Sequence, residues 1–275
     1  MNAHPESVLN TVVDNQVATL TLNRPDKFNA LSEELLGELQ RTLSDIGKDE
    51  SIAVVILAAS GRAFCAGHDL REMRGNHSEE YYQSLFSQCS AMMQTVRKIP
   101  QPVIASVQGL ATAAGCQLVA TCDLALAANT AQFAVSGINL GLFCSTPSVA
   151  LSRNVNSKRA LEMLLTGEFI DADTAVEYGL INHSVAPEEL QALTRKLADT
   201  IAGKPKSARK VGKSMFYAQL PKDVDEAYQY AAGVMATNMM DAETVVIRSG
   251  SGTCCYDCRL DNVIWSGRGA RLQLA

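Results

Sequence analysis

Two short segments hold residue types that bring backbone amides, more than side chains, to a reacting group. The first is AFCAGHDL, residues 63–70. Gly67 permits a turn that a Cβ would hinder. Such a turn aims N–H groups at a ligand instead of at a strand neighbour. The second is QGLATAAGCQL, residues 108–118. Its small residues Ala111, Thr112, Ala113, Ala114 and Gly115 let a backbone or a ligand come close. They also open a helix, whose first N–H groups have no partner of their own. Taken singly, a tight strand-to-helix turn explains the first segment and close helix–sheet packing the second equally well. Taken together, two convergent N–H groups supply what a developing oxyanion needs.

The elements around these segments follow from periodicity. Residues 17–22, VATLTL, alternate as a half-buried strand does. Pro25 breaks it. Ser32 is placed as a helix N-cap, with Leu31 and Leu36 set for a hydrophobic staple. Leu35, Leu39, Leu43 and Ile46 continue an apolar stripe. Residues 52–59 form an apolar run suited to a strand covered on both faces. A helix is expected from Glu79 to Lys98, ended by Pro100 and Pro102. PVIASVQG and LALAA read as buried strands, with a small-residue helix, TAAGCQLVATCD, between them. From Pro147 onward helical signals dominate. Strands alternating with helices mean an α/β fold with a helical closing region.

Composition sets the outer bounds. The 275 residues are 47% hydrophobic and 19% charged, with a net charge of −5. That balance argues against a general nucleic-acid binder, which carries a basic face. No run approaches the roughly 20 apolar residues of a membrane span. MNAHPESVLN has neither a basic segment before an apolar run nor an Arg-rich character, so it reads as neither a secretory nor a transit peptide. A cytoplasmic chain is the resulting expectation. Cys65, Cys89, Cys116, Cys122 and Cys144 stand singly in apolar surroundings and read as buried reduced thiols. Cys254, Cys255 and Cys258 form CCYDC, but no fourth ligand follows at metal-site spacing.

NRPDKFNAL, AFCAGHDL, PVIASVQGLATAAGCQLVATCD, AQFAVSGINLGL and TGEFIDADTAVEYGLIN occur in one order and spacing. In this the chain resembles the enoyl-CoA hydratase/isomerase (crotonase) family from about Val8 to Met240. It looks closest to the enoyl-CoA hydratase domain-containing proteins that lack the usual catalytic acids. The resemblance implies a crotonase-type ββα spiral over residues 1–200 and a helical oligomerisation region over 201–241, making trimers or dimers of trimers. A divergent tail, 242–275, is expected to be poorly ordered. The resemblance further implies an acyl-CoA thioester as partner, with no cofactor beyond the coenzyme A of the substrate. Its carbonyl oxygen would sit between the N–H groups of His68 and Ala114. The CoA would lie along Lys27, Phe28, Ala30, Ala66, Gly67, Asp69 and Leu70. Arg24, Lys27, Arg71 and Arg74 are the candidate phosphate partners.

Two departures qualify the expected chemistry. The family's catalytic glutamates correspond here to Gln117 and Gly137. Glutamine is no carboxylate base and glycine has no side chain, so the ordinary hydratase mechanism is missing. Cys144 and Ser145 fall where a dehalogenating branch carries its nucleophile, but a thiol or hydroxyl needs a neighbouring base. His68 is the only histidine in a motif, and an imidazole titrates near neutrality. Two readings stand: a family enzyme with non-standard or weak acid–base chemistry, and a non-catalytic acyl-CoA binder.

Overall fold

The computed structural model describes residues 7–241 and Thr244. Apart from Thr244, the expected tail lies outside the described residues, and so does the CCYDC run. The chain opens with a hairpin, β1 (Leu9–Asp14) and β2 (Val17–Leu22), turned by Asn15 and Gln16 at positive φ. Helix α1 (Glu33–Lys48) starts where expected: the Ser32 hydroxyl accepts from Leu35 N–H at 3.2 Å. Its buried stripe is Leu35, Leu36, Leu39, Leu43 and Ile46.

From there the chain winds as a repeating unit of two strands and a helix. The first unit holds β3 (Val54–Ala59) and β4 (Ala63–Cys65), then α2 (Leu70–Gly75) and α3 (Glu79–Lys98). The second holds β5 (Val103–Val107), β6 (Leu110–Thr112) and α4 (Ala114–Thr121). The third holds β7 (Leu124–Ala128), β8 (Gln132–Ala134), a 3-10 turn at Ser136–Leu140, and α5 (Ser145–Leu151). Each unit gives one strand to each of two sheets. The larger sheet has the order β1-β2-β3-β5-β7-β10, parallel from β2 onward, with β10 at His183–Val185. The smaller runs β4-β6-β8-β9, with β9 at Ile170–Asp171. The short strands β4 and β6 occupy stretches that periodicity assigned to a loop and to the start of a helix. Three residues are too few for a period of two to register.

The main core fills the space between the sheets and α1, α3 and α4; Leu20, Leu57, Phe64, Met92 and Phe133 are all fully buried in it. The opposite face of the larger sheet is covered by α8 (Leu190–Ala202), which brings Leu190 and Ala198 onto Val54, Ile56 and Ile104. Before α8 come α6 (Ser157–Thr166) and α7 (Ala172–Glu177); after it come α9 (Lys206–Gln219) and α10 (Val224–Met239). Among the described residues no helix is long and apolar enough to cross a membrane.

One buried polar cluster fastens α9 to the spiral. Lys213 Nζ lies 2.7 Å from Asp123 Oδ2 and donates to the carbonyls of Val96 (2.8 Å) and Gln101 (2.9 Å). Asp123 also accepts from Val103 N–H and from the Tyr217 hydroxyl. Every donor of the ammonium is therefore used, which is the condition for a buried pair to be tolerated. Asp123→Ala should lower the unfolding free energy by about 3–5 kcal/mol, because it leaves the Lys213 charge uncompensated. Urea denaturation measures this; a loss below about 1 kcal/mol would mean that α9 is held by apolar packing instead.

Candidate functional site

The candidate loops meet because three positions lack a side chain. A Cβ on Gly115 would fall 2.1 Å from the Cys65 carbonyl oxygen, and one on Gly109 would fall 2.2 Å from that of Arg62. Both are backbone contacts that cannot swing aside. Gly67 has φ +92°, and a Cβ there would meet Ala113 Cβ at 3.0 Å and Ala114 N at 3.3 Å. The loop after β4 thus lies directly against the corner between β6 and α4.

That corner is strained. Ala113 has φ 50° and ψ −120°, a conformation that favours glycine. Its own N–H donates to Ala134 O at 3.0 Å. The next N–H, on Ala114, opens α4 and has no acceptor among the described residues. The His68 N–H likewise has none, although its neighbours are used: Gly67 O accepts from Leu31 N–H and Asp69 N–H donates to Leu31 O. Two adjacent backbones each present one unspent donor.

The loop from Arg24 to Leu31 clamps the other side. Arg24 donates to Ala30 O at 2.6 Å and pairs with Asp69 at 3.1 Å, with both side chains largely covered. Its guanidinium is thereby committed inside the protein. Asp69 also caps α2 through Arg71 N–H. Burial opposes ionisation of Asp69, but hydrogen bonds from Arg71 N–H and Arg24 outweigh it and hold the carboxyl below its usual range. Asn29, fully buried at positive φ, accepts from Arg24 N–H and donates to Ser60 O and Ala63 O. Periodicity gave no signal for this role. Phe28 is half-buried under the Arg62 guanidinium, 4.3 Å from the ring centre, and Lys27 is exposed beside it. Ala30 and Ala66 are half-buried; Leu70, Arg71 and Arg74 are exposed.

His68 is packed edge-on against Phe86, with ring centres 5.4 Å apart, and Phe86 stacks on Tyr82. These two aromatics of α3 leave the core side of their helix to wall the site. Both imidazole nitrogens are buried and unpartnered. Burial pushes the His68 pKa down to about 4, so the ring is neutral at physiological pH.

Gln117 lies one turn beyond Ala114 on α4, is 5% exposed, and its Oε1 has no partner. Gly137 is closed off: a Cβ there would meet Leu142 O at 2.6 Å and Cys144 Sγ at 2.8 Å. Cys144 is buried, and burial raises its thiol pKa despite the opposing Gly137 N–H, so it is no thiolate at neutral pH. Ser145 is exposed, and its hydroxyl reaches only Phe143 O, at 3.4 Å. No base activates either residue among the described side chains. The five cysteines within the described residues are free and buried, as their surroundings suggested. No group of three or more His, Cys, Asp or Glu is placed to hold a metal among the described residues.

The enoyl-CoA hydratase/isomerase family profile matches residues 13–251. The mitochondrial enoyl-CoA hydratase domain-containing protein 3 of Rattus norvegicus is 42% identical over 240 residues, covering 86% of this chain and 80% of that protein. Among solved structures, an enoyl-CoA hydratase from Mycobacterium smegmatis superposes with a TM-score of 0.87 at 53% identity, covering 88% of this chain and 94% of that one. The human enoyl-CoA hydratase domain-containing protein 3 superposes with a TM-score of 0.84 at 41% identity, covering 86% and 94%. The fold and the site thus define a crotonase-fold protein. This chain belongs to the enoyl-CoA hydratase/isomerase family, and membership supports a CoA-thioester-related function. One expectation is corrected: the rat relative and its mouse and human counterparts are named as mitochondrial, which overturns the cytoplasmic reading. That reading rested on terminal composition, which carries no record of processing.

The lowered pKa of His68 has a consequence for stability. Between its folded value of about 4 and the ordinary value near 6.5, the unfolded chain binds more protons than the native one. The contribution is therefore complete above about pH 6.5 and is lost as pH falls towards 4, at most about 3 kcal/mol in all. His68→Gln should flatten the urea-unfolding free energy across that window relative to the parent; an unchanged slope would show that the imidazole is solvated.

Proposed function

We propose that the chain binds an acyl-CoA thioester with its carbonyl oxygen between the N–H groups of His68 and Ala114. It acts as a family enzyme whose acid–base groups are not the usual pair of glutamates. The observation that carries this reading is the pair of unspent N–H groups on two backbones brought together at Gly67. Removing one such donor in other enzymes costs about 3 kcal/mol of barrier. Lys27, Phe28, Ala30, Ala66, Asp69 and Leu70 line the approach for the CoA, with Lys27, Arg71 and Arg74 as the exposed cations for its phosphates. Arg24 serves by fixing the loop.

Beside the donors, burial leaves the His68 imidazole a weak base and Asp69 is already ion-paired, so neither is a ready proton acceptor at neutral pH. A second reading, binding without turnover, is supported by Gln117 and by the filled Cβ direction at Gly137. The exposed Val224, Tyr228, Met235 and Met240 in and after α10 supply an apolar face for a trimer.

Calorimetric titration with crotonyl-CoA, followed by turnover read at the enoyl-thioester absorbance, tests the proposal. Saturable binding is expected, with hydration slow or absent; no binding would refute it. Gly67→Val should weaken binding at least tenfold, since a Cβ at φ +92° is strained and intrudes on Ala114 N. Thermal unfolding of the same variant controls for the fold. Restoring both acids as Gln117→Glu with Gly137→Glu should leave hydration slow and cost about 1–3 kcal/mol of stability, because position 137 has no room for a Cβ. Rapid hydration by that variant would show that the glycine is incidental.

A further inference from the structure

The acyl group has to go somewhere beyond the donor pair, and α4 marks the path. Helical spacing puts Ala114, Gln117 and Thr121 on one face. From Ala114 to Thr121 this face runs about 10 Å. Its far end opens into a cavity of about 420 Å³ between α3, α4, α5 and α9. Gln117 and Thr121 line that cavity, so the helix face carrying the proposed thioester site continues into its wall.

The charge in this cavity is one-sided. Arg97 stacks on the Tyr217 ring, 4.4 Å from its centre, and has no carboxylate within salt-bridge distance among the described residues. Arg153 stands at the exposed rim and is held only to Val149 O, at 2.7 Å. The one carboxylate of the lining, Asp123, is compensated by Lys213 at 2.7 Å and bound by the Tyr217 hydroxyl. Two guanidinium groups are thus left to an anion. The buried, unpartnered Oε1 of Gln117 belongs to the same lining. A purely hydrocarbon chain end would leave the half-buried Arg97 guanidinium without an anionic partner, whereas a carboxylate supplies one.

We infer that the cavity receives the far end of the acyl chain, and that this end carries a carboxylate: the substrate class is an ω-carboxyacyl-CoA, the mono-thioester of a dicarboxylic acid. Arg97 takes the terminal carboxylate in the fork geometry that guanidinium groups favour. Gln117, in place of a catalytic acid, avoids setting a second negative charge on the path to it. This inference rests on the acyl-CoA reading above and adds the chemistry of the chain end.

The test compares octanoyl-CoA with its ω-carboxylated counterpart, octanedioyl-CoA, by calorimetry on the full chain. The parent is expected to bind the ω-carboxylated thioester at least tenfold more tightly. Arg97→Gln should bring the ratio of the two affinities close to one, and Arg97→Lys should keep part of the preference, with thermal unfolding run on each. Equal or tighter binding of octanoyl-CoA by the parent overturns the inference while leaving the acyl-CoA reading intact. A preference that survives Arg97→Gln overturns the assignment to this cavity. Failure of both thioesters to bind refutes the acyl-CoA reading, and the inference falls with it.

Discussion

Everything in this site depends on one close approach between two backbones. The loop after β4 and the corner between β6 and α4 come within contact only because Gly67, Gly109 and Gly115 place hydrogens where a Cβ would strike a carbonyl or an amide. Strand pairing fixes the distance: β4 and β6 are neighbours in the smaller sheet, in register at Cys65 and Ala111. Backbone packed this tightly has no side chains to adjust. The N–H groups that emerge from it are therefore held in place by the packing of the backbone itself.

The spiral explains why the two donors come from separate units of the chain. Each unit sends one strand to each sheet, so residues 68 and 114 are neighbours in space although 46 positions apart, as 114 − 68. The strain at Ala113 and the committed ion pair of Arg24 with Asp69 are local costs of holding these donors. The two buried cores, with α8 on one face of the larger sheet and α1, α3 and α4 on the other, offset those costs. The scaffold supplies stability, and the site spends a part of it.

The acid–base side is built differently. At position 137 the space a glutamate needs is taken by Leu142 O and the Cys144 thiol. A side chain at position 137 therefore has no room in this packing. His68 stands buried and neutral beside Phe86, while polar groups gather farther along α4 in the cavity closed by α9.

The sequence by itself determined a good deal. Ser32 as an N-cap, the α1 stripe, the limits of α3 and the buried strands at 54–59, 103–107 and 124–128 follow from periodicity and caps, which are local properties of neighbouring residues. The motifs also located both loops, and the family resemblance set Gln117 and Gly137 where its acids are expected. Tertiary structure alone decided the rest. The three-residue strands β4, β6 and β8 exist through pairing across the spiral, not through propensity. Arg24 was legible as a cation but not as one already spent on Asp69. Asn29 as the knot of three loops, Phe86 as the wall behind His68, and Arg97 beside the cavity carry no mark in their own neighbourhoods. Each of these roles is set by a partner far away in sequence, and a contact of that kind becomes definite only when the chain has closed on itself.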